Sequence, residues 1–295
     1  MAKKALPQRP PSGLLYAILF SVFWALQIFI DKFALKYGGA RDPLAYNFQT
    51  FFLSGIVASI YFFWIRKGKI RFSKKSALDY SGIALLVSVA AIVAILGLKL
   101  STSINYGFII KSTVIFVPIF AVLFLRERIS APERALIAVF LFGIYLLSTG
   151  GKGFVPAPGD LLILVAAIIY SITSVFQKSL GKRYSAEEIT WVRNVFPIPI
   201  VFLIPAAFSG LSTVLSIEPP FFLILSAISG FLCVLFLSIA LQETKATYVS
   251  MISMAVPVIS TLLGYLFLGE SFTFVSWLGA GIILVAGAVL VFSHK

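Results

Sequence analysis

The stretch Leu123-Phe124-Leu125-Arg126-Glu127 closes one long apolar segment, and Leu266-Phe267-Leu268-Gly269-Glu270 closes another 143 residues later. Aligned there, Val114 to Ser130 lies over Pro257 to Thr273, apolar on apolar until the acidic residue. A second register, shifted by 146, sets Gly13, Leu15, Trp24 and Lys32 over Gly159, Leu161, Tyr170 and Lys178. Loop length absorbs the difference of three residues. The chain is a tandem repeat with a period of about 145 residues, and that constrains its architecture before any single motif does.

Each copy has to be folded in lipid. Hydrophobic residues make up 60% of the chain and charged ones 12%, with a mean hydropathy of +1.02; a soluble domain carries about a quarter charged residues. The lone Cys233 lies in an apolar run and the lone His294 is penultimate, so no intrachain disulfide, thiolate zinc site or other cofactor is expected. The net charge of +13 does not indicate nucleic acid, because the basic residues fall between apolar runs rather than on one soluble face.

A span of about 30 Å of hydrocarbon takes roughly 20 residues at 1.5 Å each. Ten such runs lie near 13–35, 43–65, 78–98, 102–125, 131–149, 159–178, 187–209, 219–241, 244–268 and 272–292. The organisation predicted is a tail over 1–12, one five-helix repeat over 13–149, a Gly/Pro-rich linker over 150–158, a second repeat over 159–292 and a tail over 293–295. Short linkers predict that chain neighbours pack antiparallel. Of the 24 Lys and Arg residues, 17 fall on the face carrying the N-terminus and five on the other, with Lys111 and Arg193 inside spans; this bias puts both termini in the cytoplasm. Five crossings per copy is an odd number, so the second copy enters the membrane upside down. The fold class predicted is an all-α integral membrane protein of ten transmembrane helices in two inverted five-helix repeats, the architecture of secondary transporters with substrate bound near the midplane.

Two five-helix units whose fourth helices end in Leu-Phe-Leu-x-Glu resemble the drug/metabolite transporter superfamily, specifically its EamA-type members. Pro257, thirteen residues before Glu270, and the glycines Gly279, Gly281 and Gly287 of the last helix carry the likeness further. The resemblance covers residues 13–292 and implies export or exchange of amino acids, other metabolites, nucleotide sugars or sugar phosphates, in a prokaryotic plasma membrane. At the position of Pro257 the first repeat has Val114, with a proline one turn later at Pro118.

Polar residues inside spans mark candidate site positions, since lipid gives no reason to keep them. Lys111 lies roughly 13 Å from the nearer end of the fourth helix, too deep to snorkel easily, and is expected either to face substrate or to bond carbonyls and polar side chains. Its face includes Gly107, Val114 and Pro118; the aligned face carries Ser250, Met254, Pro257 and Thr261. Ser21, Trp24, Gln27 and Asp31 form a stripe on the first helix, and Tyr170, Thr173 and Gln177 the aligned stripe on the sixth. Asp31, near a helix end, has Lys32 beside it as a partner. Arg193 either reaches the interface or holds an anion in two-point contact, and Asn47, Asn105, Gln49, Thr50 and Tyr106 are further candidates. Glu127 and Glu270 read as structural acids of the repeat motif, fixing helix ends.

The function predicted is an alternating-access carrier, a facilitator or exchanger, for amino acids or similar zwitterionic or anionic molecules. The alternative is an organic-phosphate or nucleotide-sugar exchanger, followed by a channel or lipid scramblase. An enzyme is not expected, for want of an intramembrane histidine or a mid-depth carboxylate pair. The same want argues against strong proton coupling, and no phosphate-binding loop supports ATP-driven pumping. The partners expected are a small-molecule substrate and the bilayer, with a homodimer through the glycine-bearing helices as an option and no nucleic acid.

Overall fold

A computed structural model describes residues 12–40, 42–70, 73–101, 103–269 and 271–292. Ten helices are long and apolar enough to cross a membrane: α1 Gly13–Leu35, α2 Pro43–Ile65, α3 Lys74–Ala94, α4 Asn105–Leu125, α5 Ala131–Thr149, α6 Asp160–Leu180, α7 Ala186–Phe208, α8 Pro220–Glu243, α9 Ala246–Leu268 and α10 Phe274–Phe292. They lie within a few residues of the predicted runs. In hydrocarbon every backbone N–H and C=O needs an internal partner, which only helices supply here. We call the face on which α1 begins the near face and the other the far face.

Local chemistry sets the helix ends. Asp42 accepts from the Leu44 and Ala45 amides at 2.8 and 2.9 Å with Pro43 following, so α2 starts on an aspartate cap. Ser130 and Glu133 make a reciprocal capping box at the start of α5. The repeated Leu-Phe-Leu-x-Glu is a termination signal. Its variable residue is left-handed in both copies, Arg126 at φ 58° and Gly269 at φ 63°, which ends the helix.

Chain neighbours do not pair as the short linkers predict. Instead α1 lies along α8 and α6 along α3, while α2 packs on α7, α4 on α6 and less extensively on α9, and α5 on α10. Each pair joins the two repeats, and α1/α8 is the repeat image of α6/α3. Glycine at the crossings decides this. A Cβ on Gly13 would sit 3.0 Å from Glu243 Cβ, and one on Gly159 would sit 2.1 Å from the Gly97 carbonyl oxygen; the two contacts are images of one another at the 146-residue offset. Small residues allow the close backbone approach that drives helix association where no hydrophobic effect operates between helices.

Three predicted continuous helices are broken: α4 at Lys111–Ser112, α7 at Phe196–Pro197 and α9 at Ser253–Met254. At the α9 break, Pro257 has no N–H for the Ser253 carbonyl, which takes the Val256 amide instead at 3.1 Å. The α4 break has no such proline. Pro118 sits inside an unbroken helix, whereas the Lys111 amide tightens onto the Phe108 carbonyl at 3.2 Å, one residue short of a regular turn.

Candidate functional site

The broken turn of α4 points Lys111 into the protein. The residue is 4% exposed, its Nζ has no hydrogen-bond acceptor, and the ammonium rests 3.8 Å from the centroid of the Trp24 ring on α1. An ammonium over an indole face is attracted by its quadrupole, an interaction of about 2 kcal/mol when desolvated. Removing a cation from water costs several kcal/mol after relaxation. The burial penalty exceeds the ring attraction, so this side chain is not satisfied by its surroundings. Phe20 stacks on Trp24 at 5.4 Å between centroids and holds the indole in place.

Lys111 and Arg193 of α7 both lie within electrostatic range of the buried Cys233 of α8, and Arg193 also of the Tyr170 phenol. Arg193 does not run to the surface; its Nη1 donates to Gln177 Oε1. Gln177 Nε2 donates to Ser238 at 2.8 Å, which also receives Thr190 Oγ1 at 3.0 Å. The Arg193 fork is thereby aimed inward from α7 by residues of α6 and α8. Sequence gives no signal for Cys233, because its place near two cations depends on how α8 crosses α4 and α7.

The remaining candidates separate by location. Gln27 packs on Gly230, where a Cβ would lie 2.9 Å from its Nε2, so the α1/α8 crossing needs that glycine. Thr173 donates to the Ile169 carbonyl of its own helix at 2.8 Å. Met254 is fully buried in the apolar core beside the α9 break, and Pro257 lies one turn on. Asn47 is half-buried on α2. Asn105 sits at the far end of α4, donating to the Val155 carbonyl at 2.8 Å and to the Asp160 carboxylate; it fastens the linker rather than approaching Lys111. Gln49 ties α2 to the loop before α8 through Val214, Ser216 and Glu218. Two shallow apolar crevices, one beside α2 and α7 and one beside α4 and α6, do not reach Lys111, which is enclosed.

Glu127 has a definite structural task. It accepts from the Ala246 amide at 2.9 Å and from Thr247 Oγ1 at 3.0 Å, and lies 3.6 Å from Lys178 Nζ. The acid at the end of α4 therefore caps the N-terminus of α9, where the free N–H groups and the helix dipole favour negative charge. Lys178 also donates to the Leu241 carbonyl at 2.9 Å and to the Thr244 carbonyl. Glu270, its repeat counterpart, lies outside the described residues.

Both halves of the chain, residues 11–149 and 157–293, match the EamA-like transporter family. The chain belongs to that family. Relatives include an uncharacterized transporter of Methanothermobacter thermautotrophicus, 23% identical over 95% of this chain and 86% of its own length. The uncharacterized transporter YcxC of Bacillus subtilis is 23% identical over 91% and 89%. A solved crystal structure superposes with a TM-score of 0.82 at 19% identity, covering 95% of this chain and 98% of the other, so the fold is shared. As an EamA-family protein the chain is a membrane transporter of ten helices in two repeats.

Proposed function

We propose that this transporter is an alternating-access carrier for small zwitterionic or anionic organic molecules, amino acids foremost. The observation that carries the reading is Lys111, an enclosed ammonium without an acceptor at a helix break, faced by Trp24. A carboxylate supplies the missing acceptor, and the indole and Tyr170 suit an apolar side chain beside it. The α4 and α9 breaks are repeat counterparts, which fits a substrate bound between the repeats and released to either face as they exchange roles. The charge bias supports cytoplasmic termini in a prokaryotic plasma membrane.

The test is thermal unfolding of the detergent-purified protein against amino acids and organic phosphates, with Lys111→Ala alongside. A ligand of the folded state raises the midpoint by mass action, by about 2.7 kcal/mol at a hundredfold excess over Kd. Stabilisation by amino acids in the wild type and none in Lys111→Ala is the expected outcome. Arg193, aimed at the same region, favours a second reading in which an organic phosphate meets both cations; stabilisation by phosphates alone would select it. A shift that survives Lys111→Ala would make Lys111 structural.

A further inference from the structure

The sequence pairs Asp31 with Lys32 at a helix end, but the structure turns it into the α1/α8 junction. Ser226 Oγ donates to Asp31 Oδ1, and the Tyr46 hydroxyl from α2, which donates to the Phe222 carbonyl at 3.3 Å, lies within electrostatic range of the carboxylate. Ser226 is fully buried and Tyr46 is 3% exposed. Among the described residues no ion pair involves Asp31. The groups that face it are Tyr46 from α2 and Ser226 from α8. The half of α8 nearest to it, residues 220–231, and the far half of α9, residues 255–268, contain no Asp, Glu, Lys or Arg, and Tyr265 of α9 points outward. On its own helix the exposed Lys32 follows.

The aligned position in the second repeat carries a different side chain. At the 146-residue offset Asp31 corresponds to Gln177, and both side chains bind a serine of α8, Ser226 and Ser238. The two contacts are not images of one another, since Gln177 and Ser238 both belong to the second repeat whereas Asp31 and Ser226 join the repeats. An acid kept inside a span where the aligned position carries a neutral amide points to use of its proton.

We propose that Asp31, with Ser226 and Tyr46, is a proton-binding site that loads from the far face and couples a proton to the transport step. The residue lies four positions from the end of α1, about 6 Å deep, within reach of water from that face. A proton adds to a carboxylate oxygen from the far-side solution and leaves that oxygen to the near-side solution once the carrier has opened to the near face. Trp24 lies seven residues earlier on the same face of α1, so a change at the α1/α8 junction is passed to the ring that holds Lys111. This rests on the carrier reading, and it replaces the expectation of a carrier indifferent to protons.

The test uses full-length protein in liposomes of phosphatidylethanolamine and phosphatidylglycerol. Infrared difference spectra are recorded between about pH 5 and about pH 8, a range that exposed carboxylates largely escape. The expected result is a protonated-carboxyl C=O band at the acid end that is missing from Asp31→Asn, with Asp31→Glu as the second variant if the amide fails to fold. The same vesicles are then loaded with leucine, and labelled leucine is followed both as counterflow and under an acid-outside pH gradient. Gradient-driven accumulation in the wild type and its loss in Asp31→Asn is expected. An identical band in Asp31→Asn, no titrating band in the wild type, or equal gradient-driven accumulation in both proteins overturns the proposal. A band that depends on Asp31 without leucine counterflow would leave the proton site standing and count against amino acids as substrate. Counterflow without such a band would do the reverse.

Discussion

Two residues carry charges or angles that their surroundings do not favour. Lys111 is buried without an acceptor, and the several kcal/mol that this costs are only partly offset by the Trp24 ring. Lys111→Met is therefore expected to melt higher than the wild type in detergent, by a free energy on the order of 1–3 kcal/mol, while losing the stabilisation by ligand. A lower melting point would mean that the ammonium has a partner in the empty protein. Arg126 adopts a left-handed angle that its repeat counterpart Gly269 takes without a Cβ. For a residue other than glycine that geometry costs roughly 1–2 kcal/mol, so Arg126→Gly is expected to stabilise by about 1 kcal/mol in reversible unfolding, and no gain would show that the Arg126 side chain compensates. The termination signal itself was legible in the sequence; that its variable position is left-handed in both copies was not.

At the scale of helices, the ends and crossings hold the repeats together. Glu127 caps α9 from the end of α4, satisfying an amide and a hydroxyl that would otherwise be left without a partner near Lys178. Glu127→Ala is expected to destabilise by about 1–3 kcal/mol, with Glu127→Gln recovering part of the loss because an amide oxygen still accepts. Equal losses for the two variants would put the weight on charge instead. On α10, Gly279 meets α5 so closely that a Cβ would stand 2.4 Å from the Leu147 amide nitrogen, whereas Gly281 and Gly287 have open space. Gly279→Leu should reduce folded yield and melting temperature, since overpacking costs about 1–3 kcal/mol, and Gly281→Leu should leave both unchanged in the monomer. Sequence marked the glycine-bearing helices only as scaffold or dimer surface; only the crossing shows that Gly279 is used inside the chain.

At the scale of the whole molecule, ten spans bring the chain back to the face where it began. The Lys and Arg bias predicts that this face is cytoplasmic. In a Cys233→Ser background, a cysteine placed at Lys152 is expected to react with a membrane-impermeant maleimide on intact cells. One placed at Lys182 should react only after permeabilisation. The opposite pattern would invert the topology and turn the proposed proton site toward the cytoplasm.

Hydrophobicity, charge bias and the repeated pentapeptide are properties of the chain in order. They determined ten spans, two copies and, through an odd number of crossings, the inversion of one copy against the other, because lipid admits no alternative to helices of that length. They also singled out Lys111, since a cation at mid-span is costly wherever its helix packs. What the order of residues leaves open is which helix lies beside which. Only the tertiary structure placed α1 on α8 rather than on α2, because close approach depends on glycines meeting across more than 200 residues. The packing of the helices gave Asp31 a serine on α8, brought Lys111 and Arg193 into electrostatic range of Cys233, and joined Arg193 to Gln177.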